Sequence, residues 1–315
     1  MNPRYTGKFI AKLKKLGIRH FDELIHDQKR EWLIENFRVR AGKYKLNVRM
    51  LMRNLVWQMR ERVISGQKPP LNELLRTYWY MYVKSTLSRA GSLSKKSDNQ
   101  YRYMVAVIVD LVKKYKLMRY SDIGFRDANQ AHRKVGKNAN IILFSEKLGH
   151  QQFLNEMADK FDCSIIALGG KPSVLNMEYF VDDMKARGVN LRKRFNAYGI
   201  TDFDPHGWVI KNVFIENLKH YGIKNIKLMD MITPDMLTPK QIEVSKYRFP
   251  QTGKEWKLAN TWLREAEKEN YKNWKFMIEE EKEGHYYCGL EAESVSAKRL
   301  SEKLAVEILP LIRKK

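Results

Sequence analysis

Cysteine is nearly missing from this 315-residue chain, which has only Cys163 and Cys288, far apart and without paired histidines. That excludes a disulfide framework and a cysteine zinc site, and leaves both as ordinary thiols. Long apolar runs are missing too. Nothing approaches the ~18 residues of a membrane span, and Met1 to Leu16 lacks the apolar centre of a signal peptide. The expectation is a cytoplasmic chain with no membrane partner. No GxGxxG follows the first strand-like run and no GxxxxGK[ST] occurs, so dinucleotide and P-loop sites lack the glycines that cradle phosphates. Negative charge is scarce: 36 Asp+Glu face 59 Lys+Arg, a net charge of +23. An excess of that size points to a polyanionic partner, nucleic acid or an acidic membrane surface.

What is present is unevenly spread. Residues 1–60 hold 15 Lys+Arg against 5 Asp+Glu, whereas residues 241–315 hold 15 against 13, so the polyanion should meet the N-terminal and middle parts. With 43% hydrophobic residues, 16 Tyr and 7 Trp, the chain can bury a sizeable core. Three N-terminal segments, KFIAKLKKLGI, FDELIHDQKREWLIENF and KLNVRMLMRNLVWQMRERVI, repeat apolar residues at helical spacing. Within them LKKLGIRHFDEL resembles half of a helix-hairpin-helix, but as a lone match it reads better as a plain helical hairpin. SGQKPP at 65–70 breaks the pattern, since Gly and tandem Pro cannot continue a helix. LNELLRTYWYMYVKSTLSRAG and YRYMVAVIVDLVKKYKLMR then read as helices, and MRYSDIGFRDA as a small hairpin. Helix, helix, hairpin suggests a winged-helix module, followed by the basic linker HRKVGKNAN.

From residue 140 short apolar runs alternate with helical segments: NIILFSE, CSIIALGG, FNAYGITDFD and NIKLMDMI. This alternation predicts a mainly parallel, Rossmann-like sheet, closed by helices over 252–283 and 291–312, with EEEKEG as a solvated charge run. The expected organisation is a basic helical region 1–68, a winged-helix domain 69–136 and an α/β domain 137–315.

Ligands of an open parallel sheet gather at the carboxyl ends of its strands. Three ends carry chemistry here: Ser145-Glu146, Gly169-Gly170-Lys171-Pro172, and Asp202-Phe203-Asp204-Pro205. Strand alternation sends Asp202 and Asp204 to one side, where with Glu146 they form an acidic cluster that repels itself unless a cation enters. Oxygen donors without His or Cys suit Mg²⁺ or Mn²⁺, and the basic surroundings gather phosphates for such an ion to polarise. Solvated strand-end acids are the alternative. His206 is better placed to be a structural or DNA-facing neighbour than a metal ligand.

In order and content, FSEK, GGKPS and TDFDPHGW resemble a Toprim domain of the topoisomerase VI A-subunit type. In that family and its meiotic double-strand-break relatives a CAP-like winged helix precedes Toprim and carries Arg-x-x-aromatic-Tyr. LLRTYWYMYV supplies this as Arg76 to Tyr80. The spacing has independent sense, because Arg76 and Tyr80 lie four apart on one helical face and a guanidinium favours a phenolate and holds a phosphate. Tyr78 and Tyr82 are the rival nucleophiles, and a plain aromatic core is the alternative for the cluster. The resemblance spans about residues 70–310, EKEGHYYCGLEAES included. It departs at Phe203, where the family commonly has Gly, and in the short N-terminal region. Compactness is similar to the stand-alone Mini-A type.

The resemblance implies a nucleoid-associated DNA transesterase of the type IIB topoisomerase class that makes reversible double-strand breaks. Tyr80 would attack a backbone phosphate, forming a 5′-phosphotyrosyl link. Glu146, Asp202 and Asp204 would hold Mg²⁺, with Glu146 also acting as acid/base. Arg76 would position the phosphate, and Lys171 and Arg102 would contact flanking DNA. It further implies a homodimer acting on double-stranded DNA, and leaves open a GHKL-type ATPase subunit supplied in trans. The alternatives are a Toprim nuclease using water as nucleophile and a non-enzymatic DNA-binding protein. A primase is disfavoured because no zinc ribbon is present.

Overall fold

The computed structural model describes residues 6–39, 45–249, 253–281 and 284–313. The chain divides into two compact units, Met1–Ala128 and Asn129–Lys315. Residues 1–128 carry 28 Lys+Arg against 11 Asp+Glu, and residues 129–315 carry 31 against 25, so most of the excess charge belongs to the first unit.

The first unit is helical. It contains α1 (Gly7–Lys15), α2 (Arg30–Phe37) and α3 (Val48–Ile64). A longer rod follows, in which α4 (Leu75–Tyr78) runs through a π-helical stretch, Trp79–Lys84, into α5 (Ser85–Arg89). Then α6 (Ser97–Val109) continues into a second π-helical stretch, Asp110–Lys114. The expected single helix over FDELIHDQKREWLIENF is broken: a 3-10 turn at Ile25–Asp27 precedes α2. The reason lies on α3. Buried Asn54 donates to the Gly17 carbonyl and accepts from the Arg19 N–H, while Gln58 accepts from the Ile25 N–H and donates to the carbonyls of Phe21 and Glu23. These amides satisfy the backbone of a loop that a helix would otherwise have to satisfy itself.

The hairpin expected at 118–128 is not formed. Residues 121–124 make a turn closed by the Gly124 N–H on the Tyr120 carbonyl. The segment pairs instead with the extended residues before α4: Leu71 donates to Ile123, Asn72 to Gly124, and Arg126 to Glu73, with a parallel bridge between Glu73 and Phe125. Local polarity read as a turn, but the partner strand is remote in sequence, so no wing is present among the described residues.

The second unit is an α/β domain. It opens with the two-residue β1 (Arg133–Lys134), β2 (Asn138–Ser145), α7 (Gln151–Phe161) and β3 (Cys163–Ala167). There follow α8 (Val174–Ala186), β4 (Phe195–Ile200), α9 (Pro205–His220) and β5 (Ile226–Asp230). The sheet order is β1-β3-β2-β4-β5, all parallel except β1. Alternate residues of β2 feed two cores. Ile141 and Leu143 pack with the α7 side, and Ile142 and Phe144 pack with α8 and α9, which is why the run reads as continuously apolar.

The C-terminal part departs from two closing helices. After α10 (Pro239–Ser245) come β6 (Lys246–Arg248) and α11 (Gly253–Lys268). Asn270 takes a left-handed conformation (φ 50°) just beyond that helix, and the chain turns into β7 (Ile278–Glu281) and β8 (Gly284–Leu290). These form a three-stranded antiparallel sheet, β6-β8-β7, before α12 (Ala297–Arg313). The charge run therefore holds a strand: Glu279 and Glu281 pair with Arg248 of β6. Lys282 and Glu283 lie outside the described residues.

Candidate functional site

In the α/β unit the first crossover leads from β2 to β3 on one side, and the next returns to β4 on the other. The carboxyl end of β2 is thus a topological switch point, where the diverging connections open a crevice. Glu146 stands there. Its N–H donates to the Ile200 carbonyl of β4 and its carbonyl accepts from the Gly170 N–H beyond β3, so one backbone residue ties three strand ends together. Lys171, next in that turn, is exposed.

The third strand end is held by a close approach. A Cβ at Gly207 would lie 2.0 Å from the Asp202 carbonyl oxygen, so only glycine lets the first turn of α9 fold back against the loop. Asp204 caps that helix, accepting from the Gly207 N–H at 2.6 Å, and Pro205 occupies the first turn, where its missing N–H costs nothing. Its other oxygen accepts from the Tyr247 hydroxyl at 2.7 Å. Burial and then Asp204 push that phenol well above its ordinary range. Asp202 accepts from the Ala292 N–H at 2.8 Å and meets Lys147 Nζ at 3.1 Å, and Lys147 also reaches Glu293 at 2.6 Å. Burial opposes the charge on Lys147, but its bonds to Glu293 and Asp202 prevail and push it up to about 12.

Phe203, the departure from the family pattern, points away from the acids. Its ring lies 5.4 Å from Trp262 and 5.5 Å from Tyr271, both edge-on, and its backbone pairs with Leu290 of β8 in both directions. The apolar side chain between the two aspartates anchors the loop in the core while its neighbours turn outward.

Glu146 is the group left over. Burial, then the charges of Asp202 and Asp204, raise its carboxyl above the usual range against opposing help from the Asp202 N–H and Lys147. Its Oε2 is buried without a hydrogen-bond partner. A hard, all-oxygen donor set with one orphaned acceptor fits Mg²⁺ in kind. The assembly itself is incomplete: among the described residues no three His, Cys, Asp or Glu side chains gather closely enough to hold an ion. Asp204 is turned to its cap and Asp202 to Lys147. His206 is exposed.

The helical unit carries the other predicted group. Tyr80 sits in the π-helical stretch and is 49% exposed, whereas its rival Tyr78 is 1% exposed with its hydroxyl unpartnered. Tyr82 accepts from Lys68 Nζ at 3.0 Å and is packed edge-on against His26. Arg76 approaches the Tyr80 hydroxyl at 3.4 Å and is itself held by Asp98 at 2.6 Å and by the face of Tyr101. Lys84 lies over the Tyr80 ring, 4.7 Å from its centroid. Arg102 is exposed on α6, one turn beyond Asp98.

Sequence reasoning thus brought together Arg76 with Tyr80, and Glu146 with the field of Asp202 and Asp204. It missed Lys84, which the same four-residue spacing after Tyr80 would have flagged, and Lys147, which adjoins Glu146. Tyr247 and Asp98 gave no local signal. In comparison with known proteins the chain matches no family profile and no curated protein, so the likeness to Toprim rests on the motifs and the strand ends they occupy.

Proposed function

We propose that the protein is a DNA strand transesterase of the topoisomerase VI A-subunit type, with Tyr80 as nucleophile. The observation that carries this reading is an exposed phenol beside Arg76 and Lys84 in the more basic unit. Of the three candidate tyrosines, Tyr80 is the one whose hydroxyl is both accessible and next to a guanidinium. In the reaction the Tyr80 oxygen forms a bond to phosphorus, the bond from phosphorus to the 3′ oxygen breaks, and the phenolic proton is replaced by one delivered to that oxygen. The phosphodiester is conserved in number, so resealing is the reverse attack and needs no external energy. Arg76 orients the phosphate and balances its charge.

Glu146, Asp202 and Asp204 are the residues that would hold Mg²⁺, which when bound supplies a Lewis acid at the phosphate oxygens. Glu146, its carboxyl raised by burial and by its neighbours, is suited to carry the proton for the 3′ oxygen. Lys171 and Arg102 are proposed contacts to flanking backbone. A homodimer acting on duplex DNA, with the tyrosine of one copy serving the acids of the other, belongs to the same reading, which leaves open an ATPase subunit in trans.

One other reading is a Toprim nuclease, in which water replaces the tyrosine. Incubation with supercoiled DNA and Mg²⁺, followed by denaturation, separates them. Wild type should retain DNA covalently on Tyr80 and Tyr80→Phe should retain none. Cut DNA free of protein in both would choose the nuclease, and adducts persisting in Tyr80→Phe would remove Tyr80 as nucleophile.

A further inference from the structure

One edge of the main sheet is open. Among the described residues β5 pairs only with β4, and unlike the buried inner strands it is half-exposed along its length. The Phe195 N–H donates to the Asn225 carbonyl and the Met231 N–H to the Gly199 carbonyl, so the odd-numbered residues of this stretch face β4. Backbone groups alternate along a strand, which turns those of Ile226, Leu228 and Asp230 outward. Lys303 of α12 caps the far end by donating to the Asp230 carbonyl at 3.1 Å.

That outward edge lines a cleft of about 620 Å³ that follows residues 227–231. Trp208 of α9 and Trp262 of α11 form apolar walls, and Lys211, almost fully buried, is neutralised by Asp230. The rim is acidic: Asp235, Glu265, Glu269 and Glu307 line it and all are exposed. Against them stand Lys227, the capping Lys303 and Lys268, which pairs with Glu265 at 2.7 Å, so four carboxylates face three ammonium groups and the rim keeps a small net negative charge in a chain of +23.

We propose that this cleft is a docking site for an extended, basic segment of a partner protein, which adds a strand to the β5 edge. The Leu228 N–H and carbonyl and the Asp230 N–H supply the hydrogen bonds, and alternate side chains of the guest meet the tryptophan walls and the acidic rim. The charge selects the occupant. An acidic or nucleic-acid guest meets a rim of net negative charge, and a second copy would have to bring its own acidic rim against this one. Phe203, between the two aspartates, also lines the cleft, but the outward backbone groups belong to β5 and not to the strand ends that carry Glu146, Asp202 and Asp204.

The test uses the full chain and a short blocked peptide of alternating valine and arginine, with a valine–glutamate peptide as control. Binding of the arginine peptide should slow amide exchange at Leu228 and Asp230 and weaken with added salt. Leu228→Pro, which removes an outward N–H without touching the β4 ladder, should weaken binding about tenfold or more. The double change Glu265→Lys with Glu269→Lys, on exposed helix positions, should weaken it roughly tenfold and decides the matter if the proline variant does not fold. Equal binding of the glutamate peptide, no binding of either, or a dimer in sedimentation that Leu228→Pro dissolves would each overturn the proposal.

Discussion

At the scale of single residues, chemistry is set by who faces whom. His26 illustrates this away from the acids. Burial, with Lys68, Arg89 and Arg62 nearby, lowers its imidazole below the ordinary 6.5 despite Asp27. The unfolded chain therefore takes up a proton at a higher pH than the folded one does. Stability is full above the ordinary value and declines as pH falls through the window below it. Denaturant titrations of wild type and His26→Gln between about pH 7 and about pH 5 should show a flatter pH dependence in the variant. Single residues were also where the sequence spoke least evenly. Arg76 and Tyr80 could be paired because a helix makes neighbours of residues four apart, whereas Tyr247 reaches Asp204 across 43 positions that no spacing rule connects. Asp204 had a legible chemistry and a second, illegible duty as a helix cap.

Elements translate those residues into positions. The three inner strands, β2 to β4, were readable from their apolar runs because a sheet covered on both faces leaves little room for other residues. The hairpin of β7 and β8 was hidden, since EEEKEG looks like solvent-facing charge until Arg248 is placed opposite it. The failed hairpin at 118–128 shows the converse: a turn was there, but its partner lay before α4. Pairing between remote segments leaves no periodicity to find. The tightest element-level constraint is the start of α9. Gly207→Ala would place a methyl group on the Asp202 carbonyl, and no side chain is available to move aside. We expect a loss of about 3 kcal/mol or more in chemical denaturation, together with displacement of the Asp202 to Asp204 loop. Ala at Val306, exposed on α12, should be close to neutral in the same assay.

For the whole molecule the governing quantity is charge. With +23 overall and most of the excess in residues 1–128, DNA binding should fall roughly a thousandfold between 50 and 200 mM salt if about six phosphates are neutralised. Arg102→Ala should lower the slope of log affinity against log salt by about one while leaving sequence preference unchanged. Measured retention of the slope would remove Arg102 from the contact surface. A local balance runs against this global excess. Lys147, lodged between Asp202 and Glu293, is a counterion built into the chain, and it offsets part of the acid corner's charge. Folding of the α/β unit then has no need of dissolved metal, and a chelator should leave its thermal midpoint where it was. A divalent ion entering the proposed site would have to draw Asp202 away from Lys147, an exchange of one cation for another. Affinity there would be the difference between two occupied states, with Lys147 setting how readily the exchange runs.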